Sequence, residues 1–327
     1  MMDSRWPMAR DSRSSTCLVS VWWWGAECSI TIPPIYPPWG DRPSIAQKPC
    51  RCNPAGRFSL AKAALFWYDR EKPREKRGVL MGLWIDDGLH GAEGEIVSFL
   101  LAGQSNMAGR GDLTAENAVA APDCLMLRMG RWQAMSEPVN VDRGVLEGSS
   151  PRSGACLAAS FAAAFPKEGR KVGLIPCADG GTTIAQWQPG EILFDHAVFQ
   201  ARLAMRTSRL GAILWHQGES DCLAPEQLEA YPEQFLRTME GFRAQLGDLP
   251  ILVGELGYPE HGFTGTPAPL LREFNRRLPD LAARIPGCRV ISAQGLTCRG
   301  DGLHFDTPSL RTFGLRYLEG YQALATR

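Results

Sequence analysis

From Glu95 onward, short and almost wholly apolar runs alternate with longer stretches whose apolar residues recur at helical spacing. That rhythm is what a parallel β-sheet with crossover helices requires. The runs at residues 96–101, 171–175, 212–215, 251–254 and 289–292 are mostly apolar, as expected for strands covered on both faces. Helices are expected over residues 154–165, 194–209, 225–246, 269–284 and 308–325. In the third, Leu228, Tyr231, Phe235, Phe242 and Leu246 fall on one stripe, the mark of a core-facing surface. The expected fold is α/β: a three-layer, doubly wound, parallel five-stranded sheet formed by residues 95–327 as one domain of ordinary size.

Residues 1–94 have a different character. Seven of the ten Trp lie at or before Trp84, and Pro33, Pro34, Pro37, Pro38, Pro43, Pro49, Pro54 and Pro73 interrupt any period. The segment reads as an irregular N-terminal extension. The expectation is that it is an artefact of the gene model and that translation begins at Met81. Arg5, Arg10 and Arg13 ahead of the apolar run from Cys17 to Ala26 superficially resemble a secretory signal. That run is short, Trp-heavy and without a clean small-residue cleavage site, so the compartment is left open between cytoplasm and export.

Charge and cysteine usage narrow the function classes. Lys and Arg number 35 against 35 Asp and Glu, so there is no global basic field to drive nucleic-acid binding. No apolar window approaches a membrane span. Cys50 and Cys52, with Cys17 and Cys28, lack a matching pair at zinc-finger spacing, and the six later cysteines are scattered, so no metal is expected.

In open α/β sheets ligands bind beyond the carboxyl ends of the strands. After the first strand come Gly103, Gln104, Ser105, Asn106 and Met107. A serine in a Gly-assisted strand-to-helix turn is exposed near backbone N–H groups that can face an oxyanion, although such a turn is also an ordinary polar loop. It lacks the second Gly of a G-x-S-x-G elbow, and Ala108 removes the phosphate-loop pattern. After the third strand come His216, Gln217, Gly218, Glu219, Ser220 and Asp221. Here His216 reads as a loop histidine, or one lying behind the site, before it reads as a base, and Ser220 as a helix cap before it reads as a nucleophile. After the last strand, Asp301 and His304 stand two residues apart on one loop. A carboxylate there can hold one ring nitrogen while the other faces a serine from elsewhere. Asp306 or Thr307 would cap the helix that follows. The same four letters occur at Asp87, Gly88, Leu89 and His90, but ahead of the first strand, where no strand end presents them.

Together the segments Leu101–Met107, Trp215–Asp221 and Asp301–His304 resemble the SGNH hydrolases. Within them they are closest to the sialate O-acetylesterase-like domain and the family 6 carbohydrate esterases, which include acetylxylan esterases. The resemblance implies a flavodoxin-like SGNH hydrolase fold, with Ser105 as nucleophile, His304 as general base and Asp301 orienting it. It implies an oxyanion hole from the Ser105 and Gly181 N–H groups and the Gln217 side chain. Glu219 would be an accessory acid or a residue behind the site, Gln104 and Asn106 would meet substrate, and Trp187 would offer a sugar-stacking face, although a buried aromatic is the commoner role. The family's Gly-Pro-Gly-like turn is replaced here by Ser150, Pro151, Arg152, Ser153 and Gly154, a departure on the substrate side.

The expected activity is therefore removal of O-acetyl groups from a carbohydrate without metal or organic cofactor. Two alternatives stand beside it: a general short-chain or lipid ester hydrolase, and a catalytically silent carbohydrate-binding protein of the same fold. The expected partner is an acetylated carbohydrate or another small ester; no pattern in the sequence specifies the sugar or the oligomeric state.

Overall fold

The computed structural model describes residues 17–23, 26–32, 95–140 and 153–325. The chain divides into two units, Met1–Lys72 and Pro73–Arg327. In the first, β1 (Cys17–Trp23) and β2 (Ala26–Ile32) form an antiparallel ladder, paired from Cys17 with Ile32 to Trp23 with Ala26. Residues 17–23 of the run that superficially resembles a secretory core thus form a strand, in keeping with their Val and Trp content. The expectations about Met81, Cys50, Cys52 and His90 fall outside the described residues.

The second unit holds a seven-stranded sheet of β3 (Ile96–Gly103), β4 (Cys124–Arg128), β5 (Arg131–Ala134), β6 (Lys171–Pro176), β7 (Arg209–His216), β8 (Ile251–Gly254) and β9 (Cys288–Ile291). Their spatial order is β5-β4-β6-β3-β7-β8-β9, and every neighbouring pair is parallel except β4 with β5. The five strands expected from sequence are contiguous in it and take the flavodoxin-like order β6-β3-β7-β8-β9, with β9 at one edge. Five becomes seven because a hairpin extends one edge. Its turn, Met129–Gly130, has φ of 50° and 73°. Two positive φ values suit a two-residue hairpin, and Met in the first position stands where Asn or Asp usually marks such a turn.

The helices are α1 (Ser105–Ala108), α2 (Leu157–Ala164), α3 (Ile192–Ala204), α4 (Pro225–Leu246), α5 (Ala268–Ala283) and α6 (Thr307–Ala325). α2 and α6 pack together on one face of the sheet, and α3, α4 and α5 cover the other. β3 is buried along its whole length. Phe99 meets Phe161 of α2 and Tyr321 of α6 edge-on, at ring-centroid distances of 4.7 and 5.2 Å. On the opposite face Trp215 packs edge-on against Trp187 and Phe242. The stripe expected on α4 is buried throughout.

α3 is shorter than its sequence suggests, and Arg209 opens β7 instead of closing the helix. The Ser208 hydroxyl donates to the Ala204 carbonyl at 2.8 Å, and such hydroxyls satisfy terminal carbonyls in place of a further helical turn. α6 is capped by Asp306, whose carboxylate accepts the Ser309 N–H at 2.8 Å, while the Thr307 hydroxyl donates to the Asp112 carbonyl instead. Ser220 caps nothing, since α4 begins at Pro225 with Ala224 before it. Among the described residues no helix is long and apolar enough to cross a membrane.

Candidate active site

The site sits beyond the carboxyl ends of β3 and β7, the neighbours between which the strand order reverses. This is where open α/β sheets bind ligands. After a register shift between Ser98 and Phe99, β3 and β7 pair without a break from Phe99 beside Ala212 to Gly103 beside His216, and the Gln104 N–H donates to the His216 carbonyl at 2.9 Å. Gly103 turns the chain there with φ of 127°. A Cβ at this position would lie 2.1 Å from the His216 carbonyl oxygen, so the turn demands glycine. The chain then makes the single helical turn α1 with Ser105 at its start, and the Met107 and Ala108 N–H groups both donate to the Gln104 carbonyl.

Across from Ser105 lies the 301–304 loop. His304 Nε2 is 3.0 Å from Ser105 Oγ, and His304 Nδ1 is 2.8 Å from Asp301 Oδ2. The other Asp301 oxygen accepts the Leu303 and His304 N–H groups at 2.9 and 2.8 Å, which folds the loop around its own carboxylate. A carboxylate at Nδ1 accepts that nitrogen's proton, so Nε2 is left to receive the serine proton. Burial tends to raise the Asp301 carboxyl. The hydrogen bonds from the His304 backbone, the His304 ring and the Leu303 backbone outweigh it and bring the group down to about 2. Arg299, two residues earlier on the same loop, places Nε 3.6 Å from Asp301 Oδ2, and no pattern in the sequence marked it.

Gly181 stands in open space with φ of 76°. The loop that carries it is pinned beside the nucleophile: the Asp179 N–H donates to the Gly103 carbonyl at 2.9 Å, and Asn140 clasps the Ala178 backbone through both ends of its amide. Gln217 is buried. Its Nε2 donates to the Thr182 carbonyl at 3.0 Å and to Asp221, and lies 3.3 Å from Gln104 Oε1. Two hydrogens thus face three protein acceptors, so as placed this amide holds loops together and is not a free donor. Burial pushes the Asp221 carboxyl up to about 6, against the ionised form favoured by hydrogen bonds from Gln217 and the Ile184 N–H.

Several residues expected to meet substrate are enclosed instead. Trp187 is 0% exposed, donates through Nε1 to the Thr182 hydroxyl and packs edge-on against Trp215, so it offers no sugar-stacking face. Gln104 is buried and its Oε1 faces the Gly218 and Ser220 N–H groups, tying the turn after β3 to the turn after β7. Asn106 is buried, with both ends of its amide bonded to protein. Glu219 is also buried and contacts Asn106 and His216. Ser153 and Gly154 of the departing turn are described, whereas residues 150–152 lie outside the described residues. Among the described residues no three His, Cys, Asp or Glu side chains cluster to hold a metal ion.

Comparison with known proteins bears on the same segment. The sequence model of a family described as carbohydrate esterase, sialic acid-specific acetylesterase, matches residues 95–323. A probable carbohydrate esterase of Arabidopsis thaliana is 29% identical over 247 residues, which is 68% of this chain and 89% of the relative. The X-ray structure of the Arabidopsis thaliana protein from that locus superposes with a TM-score of 0.60 at 26% identity, covering 70% of this chain and 98% of its own. The crystal structure of NanS, at 16% identity, gives a TM-score of 0.57 over 71% of this chain and 98% of its own, a likeness of fold.

Proposed function

This chain belongs to the family of carbohydrate esterases described as sialic acid-specific acetylesterases, and from that premise we propose that it removes O-acetyl groups from a carbohydrate by acyl transfer through Ser105, His304 and Asp301. The observation that carries the reading is the continuous contact from Ser105 Oγ to His304 Nε2 and from His304 Nδ1 to Asp301 Oδ2.

In this mechanism His304 Nε2 takes the Ser105 proton as Oγ bonds the acetyl carbon. Collapse of the tetrahedral intermediate expels the sugar oxygen, which leaves with the proton from His304. Water then gives a proton to the same nitrogen as it attacks the acyl-serine, and acetate departs as Ser105 recovers its hydrogen. The Ser105 and Gly181 N–H groups meet the developing oxyanion. Gln217 joins them by exchanging its longest contact, Gln104 Oε1 at 3.3 Å, for that oxygen. Gln104 Oε1 keeps its Gly218 and Ser220 contacts, so the exchange orphans no acceptor. One such donor is worth about 10²- to 10³-fold in kcat.

The test is acetate release from p-nitrophenyl acetate and from acetylated xylan by wild type, Ser105→Ala, His304→Ala and, as a control, His90→Ala. The first two are expected to lose about 10⁴-fold or more in kcat while His90→Ala matches wild type. Full activity in Ser105→Ala would overturn the reading.

A further inference from the structure

Ser105 is fixed by the end of a buried strand, but His304 lies on a loop whose Asp301 side chain is 38% exposed. Backbone hydrogen bonds hold that loop from outside: Thr264 and Gly265 N–H donate to the Gly302 carbonyl, and Arg299 N–H donates to the His304 carbonyl. From the serine side a side chain reaches across. Asn106 Nδ2 donates to the Leu303 carbonyl at 3.2 Å, and Asn106 Oδ1 accepts the Phe305 N–H at 3.1 Å. One amide therefore grips the residues on both sides of His304. It grows from the position next to Ser105, so it links the serine directly to the residues that flank the imidazole.

The amide is held in turn. Its second Nδ2 hydrogen goes to Glu219 Oε1 at 2.6 Å, which accounts for both of its hydrogens and its oxygen. Glu219 Oε1 also lies 3.5 Å from His216 Nδ1, within a pair whose side chains are 0% and 5% exposed. His216 Nε2 donates to the Glu255 carbonyl at 3.0 Å, and its ring meets Phe305 edge-on at 5.8 Å. The far end of the chain thus packs against the residue that the near end bonds.

We infer that Asn106 is a positioning residue that sets His304 against Ser105 by clasping the backbone on either side of it, and that Glu219 serves the reaction only by holding Asn106. This rests on the proposed role of His304. It assigns Asn106 away from substrate, and it removes Glu219 as a second acid, because Glu219 meets the amide and not the imidazole. Chemistry specifies the pair: the Asn106 amide supplies two hydrogens at one end and an acceptor at the other, as the three contacts require, and Glu219 is needed as an acceptor rather than as a charge.

The experiment measures kcat, KM and thermal midpoint with p-nitrophenyl acetate for Asn106→Ala, Glu219→Ala and Glu219→Gln, with Asn106→Ala repeated in the His304→Ala background. The inference expects Asn106→Ala and Glu219→Ala each to lose about 10²-fold in kcat with KM changed less than about threefold, as for an interaction made in the transition state. Glu219→Gln, which keeps an acceptor for Asn106, is expected to recover most of the loss. In the His304→Ala background, Asn106→Ala should remove nothing further, because residues acting as one unit are not additive.

Unchanged kcat in Asn106→Ala beside an inactive His304→Ala would overturn this inference and leave the proposed mechanism standing. Equal losses in Glu219→Gln and Glu219→Ala would restore the charge as what matters and overturn the second half. Should Asn106→Ala fail to fold, the two Glu219 variants decide the point by themselves. An active His304→Ala would overturn the mechanism and this inference with it.

Discussion

The two sides of the site are built by opposite means. The serine side is backbone architecture: a buried strand in register with its neighbour, a glycine where no other residue fits, and one turn of helix. The histidine side is a half-buried loop 196 residues further on, beginning at Asp301, folded around its own carboxylate and gripped by side chains and loop N–H groups. The difference teaches where each half is vulnerable. Damage to the first should cost the fold, and damage to the second should cost the rate.

The sharpest way to break this comparison is Gly103→Ala. Its Cβ would collide with the His216 backbone at a φ of 127° that L-residues avoid, so loss of the native fold is expected, read as loss of the cooperative melt. A wild-type melting curve would show that the strand-end turn is not the anchor claimed for it.

Next in size is Asp301→Asn, which leaves the loop able to fold but removes the acceptor that fixes the imidazole. It is expected to lose roughly 10²- to 10⁴-fold in kcat with a melt within a few degrees of wild type. A small rate loss with a large stability loss would reverse the comparison.

Asp221→Asn tests what the buried polar set behind the serine costs. A carboxyl raised from 3.8 to about 6 binds its proton more tightly in the folded state. Stability from this group is therefore highest below the unfolded value and declines as pH rises from about 4 to about 6, by roughly 3 kcal/mol. The variant should flatten that decline in melts taken between pH 4 and 7; an unchanged slope would place the cost elsewhere.

The smallest effect is expected from Gly302→Ala on the histidine side. There φ is 77° and the nearest atom to a Cβ is the Thr264 hydroxyl at 2.7 Å, the end of a side chain that can turn away. About 1–2 kcal/mol of stability should be lost, with the fold retained. A collapse as complete as that of Gly103→Ala would erase the distinction between the two sides.

Sequence and structure agree where a single local signal decides. Strands β3, β6, β7 and β8 are legible because burial on both faces writes itself as mostly apolar runs, and Leu228 to Leu246 because a helix against a core repeats at 3.6 residues. The β4–β5 hairpin is not legible because Met129 stands where Asn or Asp would mark a two-residue turn. At the site, motif order brought Ser105, Asp301 and His304 forward, and the structure places them in contact. Gln104 and Asn106 turn inward, and Trp187 takes the buried role that is the commoner one for an aromatic; adjacency to a nucleophile, or an aromatic ring after a glycine pair, says nothing of which way a side chain turns. Their partners, Ser220, Phe305 and Thr182 among them, become visible only when distant segments meet.

The account stands on Ser105 being the atom that carries the acyl group, and covalent labelling reads this directly. Wild type and Ser105→Ala, both folded by melt, would be treated with a fluorophosphonate and the adduct mapped by peptide mass spectrometry. The account predicts one adduct per chain, on the peptide containing Ser105, abolished together with acetate release in Ser105→Ala. An adduct on another residue, or a Ser105→Ala protein that still labels and still releases acetate, would contradict it.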